Sequence, residues 1–193
     1  MSSLSVTALP ETDAWRKPPS TNLFNAPTHP LTSPVPLKSF QRARLTVSAA
    51  WTTRYDQGGL LLHVTNPSKP NDYWLKTGIE FYMDRPNVST VGTQTWSDWS
   101  IFPTDSGKAT VEVRREGDGL WVYQIVKGEG VDEERKPLRE IAWFFAEEDG
   151  WSVDIKAMAA RPAKADEVIG SKELVVEFDG VEIDVQADLG QED

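Results

Sequence analysis

The chain has 193 residues, a formal net charge of −10 at pH 7 and no cysteine, and 39% of it is hydrophobic. That length suits one all-β domain able to bury about 70% of its extended surface without a metal or disulfide staple. The lack of cysteine excludes disulfides, thiolate nucleophiles and sulfur-ligated metals, and the acidic balance argues against nucleic acid, whose phosphates require a basic surface.

The opening residues, Met1 to Thr7, carry neither the basic segment nor the apolar run of a secretion signal. No later run reaches the roughly 18 apolar residues of a membrane span. With cysteine absent, the expectation is a cytoplasmic protein with no membrane partner. Asn87-Val88-Ser89 matches a glycosylation acceptor but has no meaning without secretion. Residues 1–38 hold Pro18, Pro19, Pro27, Pro30, Pro34 and Pro36 among many Ser and Thr. Proline fixes φ and lacks a ladder donor, so this stretch reads as an irregular arm packed on the domain, with one short strand near Leu23 and Phe24. Trp15 is its one large anchor and is expected to plug the edge of the core.

From Gln41 the apolar period is two. Leu45, Val47, Ala49 and Trp51 alternate with Arg44, Thr46, Ser48 and Ala50, a strand with one buried face. Further strands are expected over residues 58–64, 73–82, 88–95, 109–115, 120–127, 139–146, 151–160, 173–179 and 181–186. Between them lie turn residues: Asn66 to Asp72, Asp84 to Asn87, Gly117 to Gly119, Gly128 to Gly130, Glu148 to Gly150, and Asp179-Gly180. A helical turn fits near residues 163–168. Many short strands at this spacing indicate a sandwich or barrel over residues 39–187, followed by an acidic tail at 188–193. Gly58-Gly59 falls within a strand pattern and marks close strand packing or a bulge.

Three stretches carry a family resemblance. They are Tyr55-Asp56-Gln57-Gly58-Gly59-Leu60, Trp74-Leu75-Lys76-Thr77-Gly78-Ile79-Glu80 and Ser97-Asp98-Trp99-Ser100, in that order. The region around Trp143-Phe144-Phe145 and Ala159-Ala160-Arg161-Pro162 adds to it. Together they resemble the intracellular family named for the fungal regulation-of-enolase protein. The resemblance implies an all-β, two-sheet antiparallel jelly-roll sandwich of the concanavalin A-like lectin/glucanase type and a link to carbohydrate metabolism. It carries no agreed reaction, so no catalytic residue transfers. Gly58 stands where the family pattern has alanine.

Alternation places Tyr73, Leu75, Thr77, Ile79 and Phe81 on one face of their strand and Trp74, Lys76 and Glu80 on the other. In sandwiches of this type one sheet is concave and a ligand cleft lies across it. Gln57 and His63 share a face of the preceding strand, so Gln57, His63, Trp74, Lys76 and Glu80 form the expected ligand-binding set. Its polar groups suit sugar hydroxyls and its indole an apolar ring face. As a plain ion pair Lys76 and Glu80 fit poorly, because four strand residues separate them by roughly 13 Å. Tyr55, Asp56, Trp96, Asp98 and Trp99 are possible loop contributors. Asp56 and Asp98, in turn-forming sequence, suit backbone N–H acceptance, and one of Trp96 and Trp99 suits core closure.

Glycoside hydrolysis needs two carboxyls about 5–10 Å apart, and no Glu-x-Asp-x-Glu strand pattern supplies them. Glu182 and Asp184 share a face but sit in acidic, solvated sequence. Two histidines, His29 and His63, make no familiar metal site, and no Gly-x-Ser-x-Gly elbow, P-loop or dinucleotide fingerprint occurs. The expectation is therefore no catalytic residue, no metal and no cofactor. The leading reading is a non-catalytic binding domain for a carbohydrate or sugar-like metabolite. Its rivals are a regulator that binds a metabolic enzyme, and an isomerase, lyase or cyclase using Lys76, Glu80 or His63.

Overall fold

A computed structural model describes residues 4–127 and 132–186. Six strands form one sheet in the order β1 (Leu4–Ala8), β15 (Leu174–Val185), β6 (Phe40–Ala49), β11 (Lys108–Glu116), β12 (Gly119–Val126) and β13 (Glu134–Ile141). A second sheet runs β10 (Ser97–Pro103), β9 (Arg85–Thr93), β8 (Tyr73–Tyr82), β7 (Gln57–Thr65) and β14 (Ser152–Ala160). Along the far edge of β14 lie β4 (Thr28–Pro30) and β5 (Val35–Pro36). The hairpin of β2 (Ala14–Lys17) and β3 (Thr21–Phe24) pairs only with itself. Every pairing between these strands is antiparallel. The result is the two-sheet jelly-roll sandwich of concanavalin A-like type.

Period-two patterning puts the core between the sheets. Leu60, Leu62 and Val64 on β7, Leu75 and Ile79 on β8, and Val153 and Ile155 on β14 face inward. Opposite them stand Leu45 and Val47 on β6, Val111 and Val113 on β11, Val122 on β12 and Phe178 on β15. Each such side chain contributes about 1.5–3 kcal/mol on burial. The β8–β9 hairpin turns through Met83 and Asp84, whose φ values of 54° and 57° make the two-residue turn that matches strand twist.

The structure corrects several sequence expectations. Residues 4–36 are not an irregular arm. β1 extends the six-stranded sheet, β4 and β5 edge the other, and the prolines fall on edges and turns, where no ladder donor is missed. Ser97 to Ser100 is strand, not turn, because its backbone pairs with β9. The 139–146 strand sits earlier, at β13, and residues 142–146 turn. Asp179-Gly180 does not separate two strands: β15 is one strand with a bulge there, Gly180 having φ of 58°. Near residue 165 there is a single turn closed by Glu167 N–H on the Lys164 carbonyl. The turn at Gly128 to Gly130 and the 188–193 tail lie outside the described residues.

Candidate functional site

The outer face of β7 and β8, away from the core, is the floor of a hollow. Register pairs Gln57 with Glu80, Gly59 with Gly78 and Leu61 with Lys76. Gly78 stands between Lys76 and Glu80 on that face and contributes no side chain. A Cβ on Gly59 would meet the Thr77 carbonyl oxygen at 2.0 Å, and one on Gly78 would meet that of Gly58 at 2.0 Å. The pair of glycines therefore permits a close strand approach and leaves the floor open between the ammonium and the carboxyl.

Lys76 is buried, its Nζ donating to Gln57 Oε1 at 2.6 Å and to Asp13 Oδ1 at 2.8 Å. Asp13 also accepts the Ala14 N–H at 2.7 Å, so its carboxylate is held from two sides. Glu80 is 6% exposed and accepts the Ser89 hydroxyl on Oε2 at 2.8 Å, while Trp99 Nε1 donates to Ser89 Oγ at 3.1 Å. Burial pushes the Glu80 carboxyl above its ordinary range, and Asp13 adds to that; Lys76, Ser89 and Trp99 oppose it without cancelling it. Two carboxyl groups thus share one hollow in different settings: Asp13 is salt-bridged to Lys76, and Glu80 is buried with its carboxyl raised above the ordinary range.

The hollow encloses about 660 Å³. Trp15, Trp99 and Tyr55 supply aromatic walls, and the floor is Gln57, Lys76 and Glu80. β2 forms one side, bringing Asp13, Trp15 and Lys17 over the sheet. The Lys76 ammonium lies 5.9 Å from the Trp15 ring. The 53–55 and 162–169 loops form the opposite rim, and a buried ion pair ties them together. Arg161 holds Asp56 from Nε at 2.7 Å and Nη2 at 2.8 Å, both side chains being enclosed. Asp56 Oδ2 also accepts the N–H groups of Thr52 and Thr53. This clamp fixes Tyr55 at φ 71°, a left-handed conformation uncommon for a bulky residue, and stacks its ring on Tyr82 at 5.6 Å.

The structure divides the expected site residues. Gln57, Lys76, Glu80, Tyr55 and Trp99 line the hollow. Trp74 emerges on the same face but is fully buried beneath the β2–β3 hairpin, among Ala14, Leu61 and Met158. Arg16 lies 4.4 Å above its ring and Phe24 4.9 Å beside it, so the indole offers no stacking surface. His63 is also under the hairpin, with Nε2 2.8 Å from Asp72 Oδ2 and its ring against Phe24. Arg16 completes this latch with a 2.6 Å pair to Asp72. Burial alone would raise the Asp72 carboxyl, yet His63 and Arg16 hold it below its ordinary range. Asp56 acts from behind the rim. Trp96 and Asp98 face a separate cleft with Arg139 and Trp143.

Asp13, Trp15, Lys17, Arg54, Lys164 and Glu167 are among the lining residues that the sequence reading missed. Trp15, expected in the core edge, is the aromatic wall expected of Trp74. A signal existed: Asp13, Trp15 and Lys17 recur at period two, as on one strand face. Among the described residues no group of His, Asp and Glu is placed to hold a metal ion, and no helix is long and apolar enough to cross a membrane.

Comparisons with known proteins agree with this architecture. A functionally unknown protein from Saccharomyces cerevisiae superposes with a TM-score of 0.70 at 20% identity, over 98% of this chain and 93% of that one. An alginate lyase of polysaccharide lyase family 7 superposes with a TM-score of 0.57 at 8% identity, over 95% and 80%. In sequence, an uncharacterized protein of Emericella nidulans is 48% identical over 178 residues, covering 90% of this chain and 85% of that protein. The model of the family described as protein of unknown function DUF1349 matches residues 1–185, and the chain belongs to that family.

Proposed function

We propose that this domain binds a sugar-like small molecule in the hollow over β7 and β8. The observation that carries the reading is the pairing of walls and floor. Trp15, Trp99 and Tyr55 present apolar rings to one cavity of about 660 Å³, and Gln57, Lys76 and Glu80 direct hydrogen-bonding groups into it. Sugar rings need both an apolar face to stack and convergent donors and acceptors for hydroxyls. Burial favours the neutral form of Glu80, which can donate to a hydroxyl as well as accept from one. A fold shared with a polysaccharide lyase supports the carbohydrate class at the level of architecture alone. The regulation-of-enolase resemblance supports the same metabolic setting, and a cysteine-free chain suits the cytoplasm.

Calorimetry against a panel of neutral and acidic sugars and sugar phosphates tests this. At least one member should bind, and Trp15→Ala and Glu80→Ala should each weaken it about tenfold or more, the size of one lost stacking contact or of a hydrogen bond left unmade. A panel with no binder, or unchanged affinity in both variants, removes the reading. One observation favours a second: an acid with a raised pKa opposite a salt-bridged carboxylate is how acid–base catalysts divide their roles. An isomerase or lyase would show turnover of the bound ligand, lost in Glu80→Gln with binding retained.

A further inference from the structure

The mouth of the hollow has a charge sign opposite to that of the whole molecule. Lys17 of β2, Arg54 of the β6–β7 loop and Lys164 of the β14–β15 loop come from three distant segments and meet around one cavity. None of the three has a carboxylate within ion-pair distance among the described residues. Most other cations of the chain are so paired, including Arg16, Arg42, Arg44, Arg115 and Arg161. Arg54 is instead arranged by aromatic faces. Its guanidinium lies 4.7 Å from the Tyr55 ring and 5.2 Å from the Tyr82 ring, and it donates to the Tyr55 hydroxyl at 2.8 Å. One acid, Glu167, stands at the same mouth and accepts the Lys164 backbone N–H at 3.2 Å. Deeper in, Lys76 and Asp13 offset each other.

A chain with a net charge of −10 repels anions at long range. Keeping three cations at a single opening, with one acid against them and none of them ion-paired, costs solvation on ligand entry unless the ligand replaces it. An anion does so, and a guanidinium already oriented by two rings is suited to grip two of its oxygens. We propose that the ligand of the hollow is a hydroxylated ring bearing an anionic substituent, a carboxylate or a phosphate. The ring lies between Trp15 and Trp99, and the anion sits at the mouth on Lys17, Arg54 and Lys164. This rests on the sugar-binding reading above and narrows it to acidic sugars or sugar phosphates.

The test is calorimetry with three matched probes, glucose, glucuronate and glucose 6-phosphate, each at about 20 mM and about 300 mM salt, where exposed charge is screened to different degrees. The expected result is that glucuronate or glucose 6-phosphate binds at least about tenfold tighter than glucose at low salt, and that high salt narrows the gap. Which of the two wins identifies the group. The triple variant Lys17→Gln, Arg54→Gln, Lys164→Gln should abolish the preference, the anionic probe then binding no tighter than glucose does to the same variant. All three side chains are on exposed residues, so melting temperature should hold. If glucose binds as tightly as both anions, or the triple variant keeps the preference, the anionic assignment is overturned and the sugar site stands. If none of the three probes binds, the anionic assignment falls. If the wider neutral panel fails too, the sugar site falls with it.

Discussion

Arg161 is fully enclosed, and its side chain ties together the two segments that carry the rim of the hollow. Its two bonds to Asp56 and its bond to the Ser171 carbonyl join the 53–56 loop to the 161–171 segment. Arg161→Ala would leave Asp56 a buried carboxylate with only backbone N–H partners. Breaking one side of such a pair costs about 3–5 kcal/mol. For a chain of this size that lowers the melting temperature by about 6–20 °C. Arg161→Lys should recover only part of it, since one ammonium cannot fork onto both oxygens. Thermal unfolding of the two variants checks both statements, and ligand affinity should fall with them as Tyr55 loses its fixed φ. The sequence showed half of this clamp. Asp56 in a turn-forming run was readable as a backbone acceptor, because that chemistry is local. Its partner lies 105 positions away, and nothing local pairs Asp56 with that arginine rather than another. Trp74 failed as a ligand residue for a related reason: parity set its face correctly, but what covers a face is a tertiary fact.

At the scale of elements, the β7–β8 pair does two jobs through two glycines. The close approach at Gly59 and Gly78 is made of backbone on both sides, so an added methyl cannot be absorbed by a rotamer change. Gly78→Ala should separate the strands at the centre of the seven-stranded sheet and cost about 4 kcal/mol or more. Gly92→Ala is the control. Its Cβ would meet only side-chain carbons at 3.5 Å, an ordinary contact, and should cost far less. Denaturant unfolding of both variants measures the difference. The strands themselves were legible wherever alternation was strong, as at β8, whose bounds the pattern predicts. They were illegible where another signal dominated. The many prolines masked the strands of residues 4–36, although edge strands tolerate proline and β4 and β5 are edges. Likewise, the Ser-Asp run at 97–98 read as a turn, while the β9 edge recruits it by backbone bonds that need no particular side chain.

Across the whole molecule, the two outer faces carry buried acids with opposed responses to pH. On the six-stranded sheet, Glu112 is enclosed and bonded to Arg42 at 3.0 Å and Arg135 at 2.7 Å, with Arg42 continuing to Glu182 and Asp184. Burial alone would raise the Glu112 carboxyl, but the two arginines outweigh it and hold the group below its ordinary value of 4.5. Its folded form prefers the carboxylate more than the unfolded chain does. The stability it confers is therefore complete above about pH 4.5 and is lost as pH falls through the lower folded value. Glu80 is the reverse. Its folded carboxyl is raised, so its contribution is complete below the ordinary value and is lost as pH rises through the folded one. Melting temperature against pH for wild type, Glu112→Gln and Glu80→Gln separates the two. Glu112→Gln should be less stable than wild type at pH 7 and approach it towards pH 3, because the arginines lose an ionised partner that acid removes in any case. Glu80→Gln should gain on wild type from pH 4 to pH 8, since the amide carries no charge to be desolvated in the hollow. Parallel curves for wild type and Glu80→Gln would mean that Glu80 ionises in the folded protein as easily as in water. The hydroxyl-donating role assigned to it in the ligand site would then be lost.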